Sequence, residues 1–147
     1  MKQRTLNHCL SLVAATPLLQ RYGFSRPKAM LQLAKAAKDP SHDLVVVEKN
    51  KRVEGFAWVI CNGVFGRSAY LKLIIVAPDA QGRGVGRLLM RKVEKRHLKP
   101  NGLFLLATST NRRARKFYEK LGYRKVGELP DFVKKGFKEV IYHRPAR

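Results

Sequence analysis

Residues 74–87 read IIVAPDAQGRGVGR, an apolar segment that Ala77-Pro78 ends and that a glycine-rich loop follows. The apolar residues predict a buried strand over 70–76, and those after the loop predict a helix over 86–97. At such a junction, backbone N–H groups and the helix dipole converge on an anion. Glycines let the backbone approach a pyrophosphate, because a Cβ would stand in the way. These residues therefore predict an anion-binding loop between a strand and a helix.

Two well-known phosphate loops do not fit this stretch. A P-loop needs a Lys-Ser or Lys-Thr pair after its last glycine, and neither pair follows here. A dinucleotide-binding fingerprint needs a further glycine three residues after Gly86, where Leu89 stands. From the loop alone, a flexible turn without a ligand stays open as the alternative.

Residue periodicity around the loop predicts alternating helices and strands. Helical spacing is present over 6–13 and over 29–37, with Thr16-Pro17 and Ser25-Arg26-Pro27 as start signals. Lys49-Asn50-Lys51 predicts the turn of a hairpin. The predicted strands are Leu44–Glu48, Val53–Ile60, Tyr70–Val76, Leu103–Thr108, Tyr123–Glu128 and Lys138–His143. The apolar face predicted for the helix after the loop consists of Leu88, Leu89 and Val93. This order predicts an α/β (α+β) fold, with helices packed on a central sheet.

The length and the apolar content predict one domain. A chain of 147 residues with 45% hydrophobic residues can bury a substantial core, and we expect a single domain over 1–147. No apolar run approaches the ~20 residues that span a bilayer, so we expect no membrane partner. The apolar residues 9–19 follow two basic ones, as in a signal peptide, but polar residues and a proline interrupt them. We therefore expect a cytoplasmic protein.

Basic residues dominate the chain. The formal net charge is +21, and +14 of it falls on residues 81–147. Such a field attracts polyanions, including nucleic acid and phosphorylated ligands. Solvated helix faces rich in Lys and Arg are the alternative explanation.

Cysteine and histidine usage argues against a metal site. Cys9 and Cys61 are the only cysteines, so we predict two buried free thiols, with a single disulfide as the alternative. The four histidines show no metal-ligand spacing, and we expect no metal.

A second motif lies at residues 111–123. It begins with Asn111, places the small residue Ala114 three positions on, and continues as Phe117-Tyr118-Glu119-Lys120-Leu121-Gly122-Tyr123. Asn111 also suits the N-cap of a helix and Gly122 its end, and the residues that suit its inward face are Ala114, Phe117, Tyr118 and Leu121. The motif thus predicts a helix over 111–121.

The two motifs together resemble the GNAT superfamily of acetyl-CoA-dependent N-acetyltransferases. The first block stands as Gln81-x-x-Gly84-x-Gly86 after the strand, and the second follows it in the family's order and separation. The resemblance covers about residues 44–143. It is thin before that, where Met1–Arg4 would have to supply any short first strand.

The resemblance implies a mixed, mainly antiparallel central sheet flanked by helices, with acetyl-CoA as the acetyl donor. The strand that ends at Val76 would splay from its neighbour, and one of its amides would polarise the thioester carbonyl in the gap. Tyr118 would be the general acid that protonates the departing CoA thiolate. The residues that the resemblance assigns to cofactor binding are Ile74, Ile75, Val76, Gln81, Gly82, Arg83, Gly84, Val85, Gly86, Arg87 and Asn111. A core aromatic and a helix cap stay open as alternatives for Tyr118 and Asn111.

The base that would deprotonate the acceptor is not assigned by the resemblance. Many relatives have a glutamate on one of the two central strands, but this chain has no carboxylate over 70–76 and has Leu106 on the next strand. Glu128 and Asp131 are the candidates, and a water relay is the alternative. The expected acceptor is the primary amine of a small molecule or peptide.

Two other functions stay open from the sequence. The charge also suits a non-catalytic basic module that binds nucleic acid. A GNAT-fold protein that binds CoA without turnover is the second alternative. Homodimerisation stays open as well.

Overall fold

The computed structural model describes residues 1–16 and 26–147 of the chain. The described helices are α1 (Gln3–Ala14), α2 (Arg26–Ala36), α3 (Val85–His97) and α4 (Arg112–Lys120), with a 3₁₀ turn at Pro78–Ala80. The strands are β1 (His42–Lys49), β2 (Arg52–Val64), β3 (Ser68–Val76), β4 (Leu103–Thr108), β5 (Arg124–Pro130) and β6 (Lys138–Arg144).

The six predicted strands and the helices predicted over 6–13, 29–37, 86–97 and 111–121 are found, with shifted ends. A first strand at Met1–Arg4 is contradicted, because α1 begins at Gln3. Of the two predicted helix starts, Pro17 and Ser25 lie outside the described residues, while α2 begins at Arg26, within the predicted Ser25-Arg26-Pro27 start. Thr16 itself donates its hydroxyl hydrogen bond back to the carbonyl of Leu12, so its side chain closes α1.

The six strands form one sheet in the order β1-β2-β3-β4-β6-β5. β3 and β4 run parallel, and the other neighbouring pairs of described strands are antiparallel. Helices α1 and α2 pack on one face of the sheet, and α3 and α4 pack on the other. The prediction of a mixed, mainly antiparallel sheet flanked by helices is confirmed. None of the described helices is long and apolar enough to cross a bilayer.

The predicted hairpin joins β1 to β2. Lys49 pairs with Arg52, and both residues between them, Asn50 and Lys51, have positive φ angles of 51° and 60°. Two consecutive positive φ angles define the tight turn whose twist matches that of antiparallel strands. The two-residue turn at Asn50-Lys51 therefore sets the pairing of Lys49 with Arg52 at the start of the β1–β2 ladder.

A hydrophobic core lies on each face of the sheet, and the burial of some individual residues differs from the sequence prediction. Leu89 and Val93 of α3 are fully buried as predicted, but Leu88 is 42% exposed because it lies beside that stripe rather than on it. Cys9 is buried, and burial raises the pKa of its thiol to about 12. Cys61 is also a free thiol but is partly exposed, so the prediction of a buried thiol is confirmed for Cys9 and wrong for Cys61.

Strands β3 and β4 separate towards the carboxyl end of β3. They pair only from Ala69–Leu103 to Leu71–Leu105. On the other side of β3, Leu71 and Leu73 face consecutive residues of β2, so Lys72 between them has no partner in that ladder. Such a bulge bends its strand and increases the twist. A gap therefore opens between residues 73–76 and β4.

Gly55 controls how closely α3 approaches β2. A Cβ at Gly55 would lie 2.9 Å from the Ile75 carbonyl oxygen and 3.1 Å from side-chain atoms of Val85 and Leu89. We expect Gly55→Ala to lower the free energy of unfolding by about 1–3 kcal/mol, since overpacking forces neighbours apart. Urea denaturation measures this loss.

Gly127→Ala is the matched control in β5, where a Cβ would lie 3.4 Å from the flexible end of Ile141. We expect it to change the free energy of unfolding by less than about 0.5 kcal/mol. Equal effects of the two substitutions would contradict a packing constraint at Gly55.

Candidate functional site

The gap between β3 and β4 joins two cavities. One, of about 660 Å³, lies between the glycine-rich loop and α4, and we call it the loop cleft. The other, of about 360 Å³, reaches α1 and α2, and we call it the inner cavity. Ile74, Asn111, Ala114 and Tyr118 line both. A molecule in one cavity can therefore meet a molecule in the other at these residues.

The loop cleft gathers most of the residues that the sequence assigned to cofactor binding. Its lining consists of Ile74, Val76, Ala80, Gln81, Gly82, Gly84, Val85, Gly86, Arg87, Asn111, Arg113, Ala114, Phe117 and Tyr118. Two assigned residues are not in the lining. The side chain of Ile75 is buried with α1 and α2, so only its backbone faces the gap region, and Arg83 is exposed outside the cleft.

The backbone of the glycine-rich loop is open to this cleft. Gly82 and Gly84 have φ angles of 76° and 82°, and a Cβ at either would meet no described atom within 4 Å. Helix α3 begins at Val85 with Gly84 as its N-cap, and no described side chain caps it. Its first amide donors therefore lack a side-chain acceptor in this part of the chain, and such donors are suited to an anion. Arg87 and Arg113 add positive charge to the same wall.

One edge of β3 also offers backbone groups to the gap. Ile74 to Val76 pair with Ala57 to Gly55 of β2 on one side, while β4 has already separated on the other. The Val76 carbonyl accepts a hydrogen bond from the Gln81 amide at 3.3 Å. This bond ties the loop to the strand end.

Asn111 is the N-cap of α4. Its Oδ1 accepts a hydrogen bond from the Ala114 backbone N–H at 3.2 Å. The cap that the sequence analysis kept as an alternative is therefore present. Because the cap uses the oxygen, the side-chain NH₂ is not used by the cap, and Asn111 lines both cavities.

Tyr118 lies where the two cavities meet. It is 7% exposed, and its ring packs against those of Phe117, Tyr123 and Tyr142. Among the described residues, none hydrogen-bonds its hydroxyl. Burial, and to a lesser degree the negative form of Tyr70, raise the pKa of Tyr118 above its usual value. The phenol therefore stays protonated at neutral pH and can act only as a proton donor.

The inner cavity combines an apolar wall with a few polar groups. Its lining consists of Val13, Ala29, Leu33, Trp58, Tyr70, Leu71, Lys72, Leu73, Ile74, Leu106, Ala107, Thr108, Asn111, Ala114, Tyr118, Val133 and Glu139. Within the described ranges, no three His, Cys, Asp or Glu side chains come together as metal ligands would.

Lys72 brings a positive charge into the inner cavity. The bulge in β3 sets its side chain against Trp58, with Nζ 4.2 Å from the centre of the indole ring. Burial lowers the pKa of this ammonium group. In the described part of the chain no carboxylate pairs with it. The strand pattern predicted an apolar segment here and did not indicate that Lys72 would point into a cavity.

Glu139 is the carboxylate of the inner cavity, and the sequence analysis missed it. It lies on β6 opposite Thr108 of β4, is 5% exposed, and its Oε1 accepts a hydrogen bond from the Thr108 hydroxyl at 3.1 Å. Its Oε2 is buried without any hydrogen-bond partner among the described residues. The sequence offered one signal for this site: Glu139 is a charged residue within a predicted strand that also contains Val140 and Tyr142, both of which are buried.

The candidate bases from the sequence lie elsewhere. Glu128 pairs with Lys125 and with Lys138, at 3.0 Å from the latter, and these hydrogen bonds lower its pKa to about 2. Asp131 accepts a hydrogen bond from the Gly136 backbone N–H at 2.7 Å. Neither lines the inner cavity, although Val133 of the same loop does. A carboxylate held by two ammonium groups is a poor proton acceptor.

Comparison with known families identifies one match over most of the chain. The family described as acetyltransferase (GNAT) domain matches residues 40–125. This range contains the glycine-rich loop and the complete Asn111 to Tyr123 motif.

Solved structures of acetyltransferases share the fold. An acetyltransferase from Thermus thermophilus superposes with a TM-score of 0.78 at 19% identity, covering 99% of this chain and 93% of that one. An aminoglycoside 6'-N-acetyltransferase complexed with coenzyme A gives 0.79 at 15% identity, covering 97% and 91%. The ribosomal-protein-S18-alanine N-acetyltransferase from Escherichia coli gives 0.75 at 21% identity, covering 99% and 90%.

Proposed function

The chain belongs to the GNAT family of acetyltransferases, and we propose that it moves the acetyl group of acetyl-CoA to a primary amine by direct attack in a ternary complex. The observation that carries this proposal is the junction of the two cavities at the gap between β3 and β4. Donor and acceptor can enter from different sides and meet beside one buried tyrosine. Two free cysteines and a cytosolic donor suit a cytoplasmic protein.

The loop cleft fits the donor. The open backbone at Gly82 and Gly84 and the uncapped start of α3 would bind the pyrophosphate, with Arg87 and Arg113 nearby. The backbone of residues 74–76 would hydrogen-bond the pantetheine arm, and one of its N–H groups would polarise the thioester carbonyl. The side-chain NH₂ of Asn111, left over from the helix cap, would hold the same arm.

Tyr118 would protonate the departing thiolate. The thiolate is the base of a thiol with an ordinary pKa of about 8.5, so a phenol of higher pKa beside the sulfur would hydrogen-bond the developing thiolate and donate late, as another proton replaces its own. The buried hydroxyl without a partner in the described chain supports this role, since a purely structural tyrosine usually bonds its hydroxyl.

The charge distribution favours an acceptor that is neutral, acidic or attached to a polyanion. The second half of the chain carries +14, more than one cofactor needs. Lys72 adds a positive charge to the inner cavity, where the acceptor would bind, and no described carboxylate pairs with this lysine. Amino acids, peptide N-termini and aminoacyl groups on RNA all meet this condition.

A basic nucleic-acid-binding module and a CoA binder without turnover are the rival functions. Acetyl-CoA at about 100 times its Kd stabilises a protein that binds it by about 2.7 kcal/mol. A thermal shift with oligonucleotides but none with acetyl-CoA would favour the first rival. An acetyl-CoA shift without any turnover would favour the second.

Gly86→Glu tests the donor site. A Cβ at Gly86 would point toward Phe117 at 3.4 Å, so the longer side chain enters the loop cleft without backbone strain. Two like charges about 4 Å apart repel by about 4 kcal/mol near a protein surface, so we expect acetyl-CoA affinity to fall roughly 10³-fold. Calorimetric titration measures it. Leu88→Glu, which adds the same charge on the exposed face of α3, should bind like wild type.

Tyr118→Phe tests the general acid. We expect turnover to fall by ~10²–10⁴-fold with unchanged acetyl-CoA affinity, because only the hydroxyl is removed. Its stability should not change, since that hydroxyl has no partner in the described chain. The control is Tyr123→Phe, which loses a hydrogen bond to Glu94 at 3.0 Å and should lose about 1–3 kcal/mol of stability but no activity. Wild-type turnover in Tyr118→Phe would assign protonation to solvent.

An acceptor panel tests the reaction and the charge preference together. We expect release of free CoA thiol to be faster with amino acids and acidic peptides than with spermine or an aminoglycoside. The preference should shrink as salt rises from about 0.01 M to about 1 M, where the Debye length falls from about 30 Å to about 3 Å. Lys72→Met should weaken it at every salt concentration. Fast acetylation of spermine that salt does not affect would contradict the charge preference.

A further inference from the structure

We propose that Glu139 binds the acceptor amine and accepts its proton during acetyl transfer. This inference rests on the proposed function and adds to it a residue that is neither in the predicted motifs nor among the candidate bases of the sequence. Glu139 would serve as the base for which the sequence suggested Glu128 and Asp131, neither of which lines the inner cavity.

The buried oxygen of Glu139 needs a partner that the described chain does not supply. The residue is 5% exposed, Oε1 is bonded to Thr108, and Oε2 has no hydrogen-bond partner. An unpaired buried polar atom is costly, and a charged one more so. Because Glu139 lines the inner cavity, a ligand there can supply the missing donor.

An ammonium group is the chemical complement of this oxygen. An ionised carboxylate only accepts hydrogen bonds, whereas an ammonium group only donates them. The Thr108 hydroxyl holds Oε1 and so orients Oε2. Thr108 and Glu139 face each other across β4 and β6, close to the point where Tyr118 and Asn111 join the two cavities. An amine bound at Oε2 therefore lies on the acceptor side of the gap.

The other titratable groups of the cavity do not compete for this role. Tyr70 and Lys72 enter from β3 and Tyr118 enters from α4, while the described residues of α1 and α2 contribute only apolar side chains. Burial and the charge of Glu139 raise the pKa of Tyr70, so this phenol stays protonated beside the carboxylate. Lys72 is a cation, so it repels an ammonium group and does not bind it.

Acetyl transfer from acetyl-CoA to an ammonium group releases one proton overall. The nitrogen lone pair forms a bond to the carbonyl carbon, and the C–S bond breaks with its electrons on sulfur. The ammonium loses two protons on becoming an amide. Glu139 passes the first to solvent, and the second replaces the proton that Tyr118 gives to the thiolate. The products are the N-acetylated acceptor, CoA with a free thiol and one proton.

Glu139→Gln removes the charge and keeps the size of the side chain. With the fastest acceptor of the panel, we expect kcat/KM at pH 7 to fall by ~10²–10⁴-fold while acetyl-CoA affinity is unchanged. The variant must use amine that is already neutral in solution, so its kcat/KM rises about tenfold per pH unit up to the pKa of the amine. The ratio of wild type to variant should therefore narrow as the pH rises.

Four measurements separate this role from a structural one. Glu139→Asp should recover part of the activity, and Glu128→Gln, outside both cavities, should retain all of it. Glu139→Gln should melt at the wild-type temperature or above, because Oε2 contributes no bond to the described part of the fold.

Trp58, the only tryptophan, lines the cavity, so its emission can report binding of n-butylammonium without turnover. That affinity should fall in Glu139→Gln.

A loss of activity that is the same at every pH, or no loss, would overturn the assignment of Glu139. So would n-butylammonium binding that is no tighter in wild type than in Glu139→Gln. Failure of wild-type protein to release CoA with any acceptor would instead overturn the proposed function, and the n-butylammonium titration would still decide whether Glu139 binds an amine.

Discussion

The early end of the pairing between β3 and β4 is the constraint on which the candidate site depends. The ladder stops at Leu71, and the unmatched Lys72 bends β3 away from its neighbour. Had pairing continued to Ile74, which this register places opposite Thr108 at the end of β4, the two strands would close the passage between the loop cleft and the inner cavity. The separation also leaves the backbone groups of residues 74–76 that face β4 without a strand partner on that side, and such groups need a substitute when they are buried. One irregularity thus supplies both the passage and the hydrogen bonds along it.

The polar groups near the gap divide into those that the fold satisfies and those that it does not. Tyr123 bonds Glu94, and the Tyr142 hydroxyl accepts from Arg115 and donates to Glu119. These bonds hold α3, α4 and β6 together around the core. By contrast, Oε2 of Glu139 is buried without a partner among the described residues. The Tyr118 hydroxyl likewise has no hydrogen-bond partner in the described part of the chain. Both unpaired atoms belong to the walls of the cavities, where a substrate rather than the fold would complete them.

Electrostatics separates the two sides of the gap. The loop cleft presents amide donors, a helix N-terminus and arginines, which suit the phosphates of a donor. The described wall of the inner cavity has one cation, Lys72, and one carboxylate, Glu139, among mostly apolar side chains. Opposite charges within a small apolar space act at short range and with little screening, unlike the +21 of the whole chain. In the proposed reaction, the surface charge would bias the encounter with substrates, and the cavity charges would orient the acceptor.

Local patterns were enough to predict the elements, the loop and the second motif, because turns, caps and glycines act over a few residues. Asn50-Lys51 formed the expected hairpin turn, and the loop at Gly82 and Gly84 took the open conformation that its glycines allow. Local patterns could not predict which side chains of different strands become neighbours in the sheet. Glu139 and Thr108 are 31 residues apart and meet only because β6 pairs with β4. Lys72 enters a cavity only because a bulge shifts the alternation of side chains along β3. Likewise, which strand side chains are buried against α1 and α2 depends on how the helices pack on the sheet. Sequence thus determined the chemistry of each segment, and long-range strand pairing determined which of these groups share a cavity.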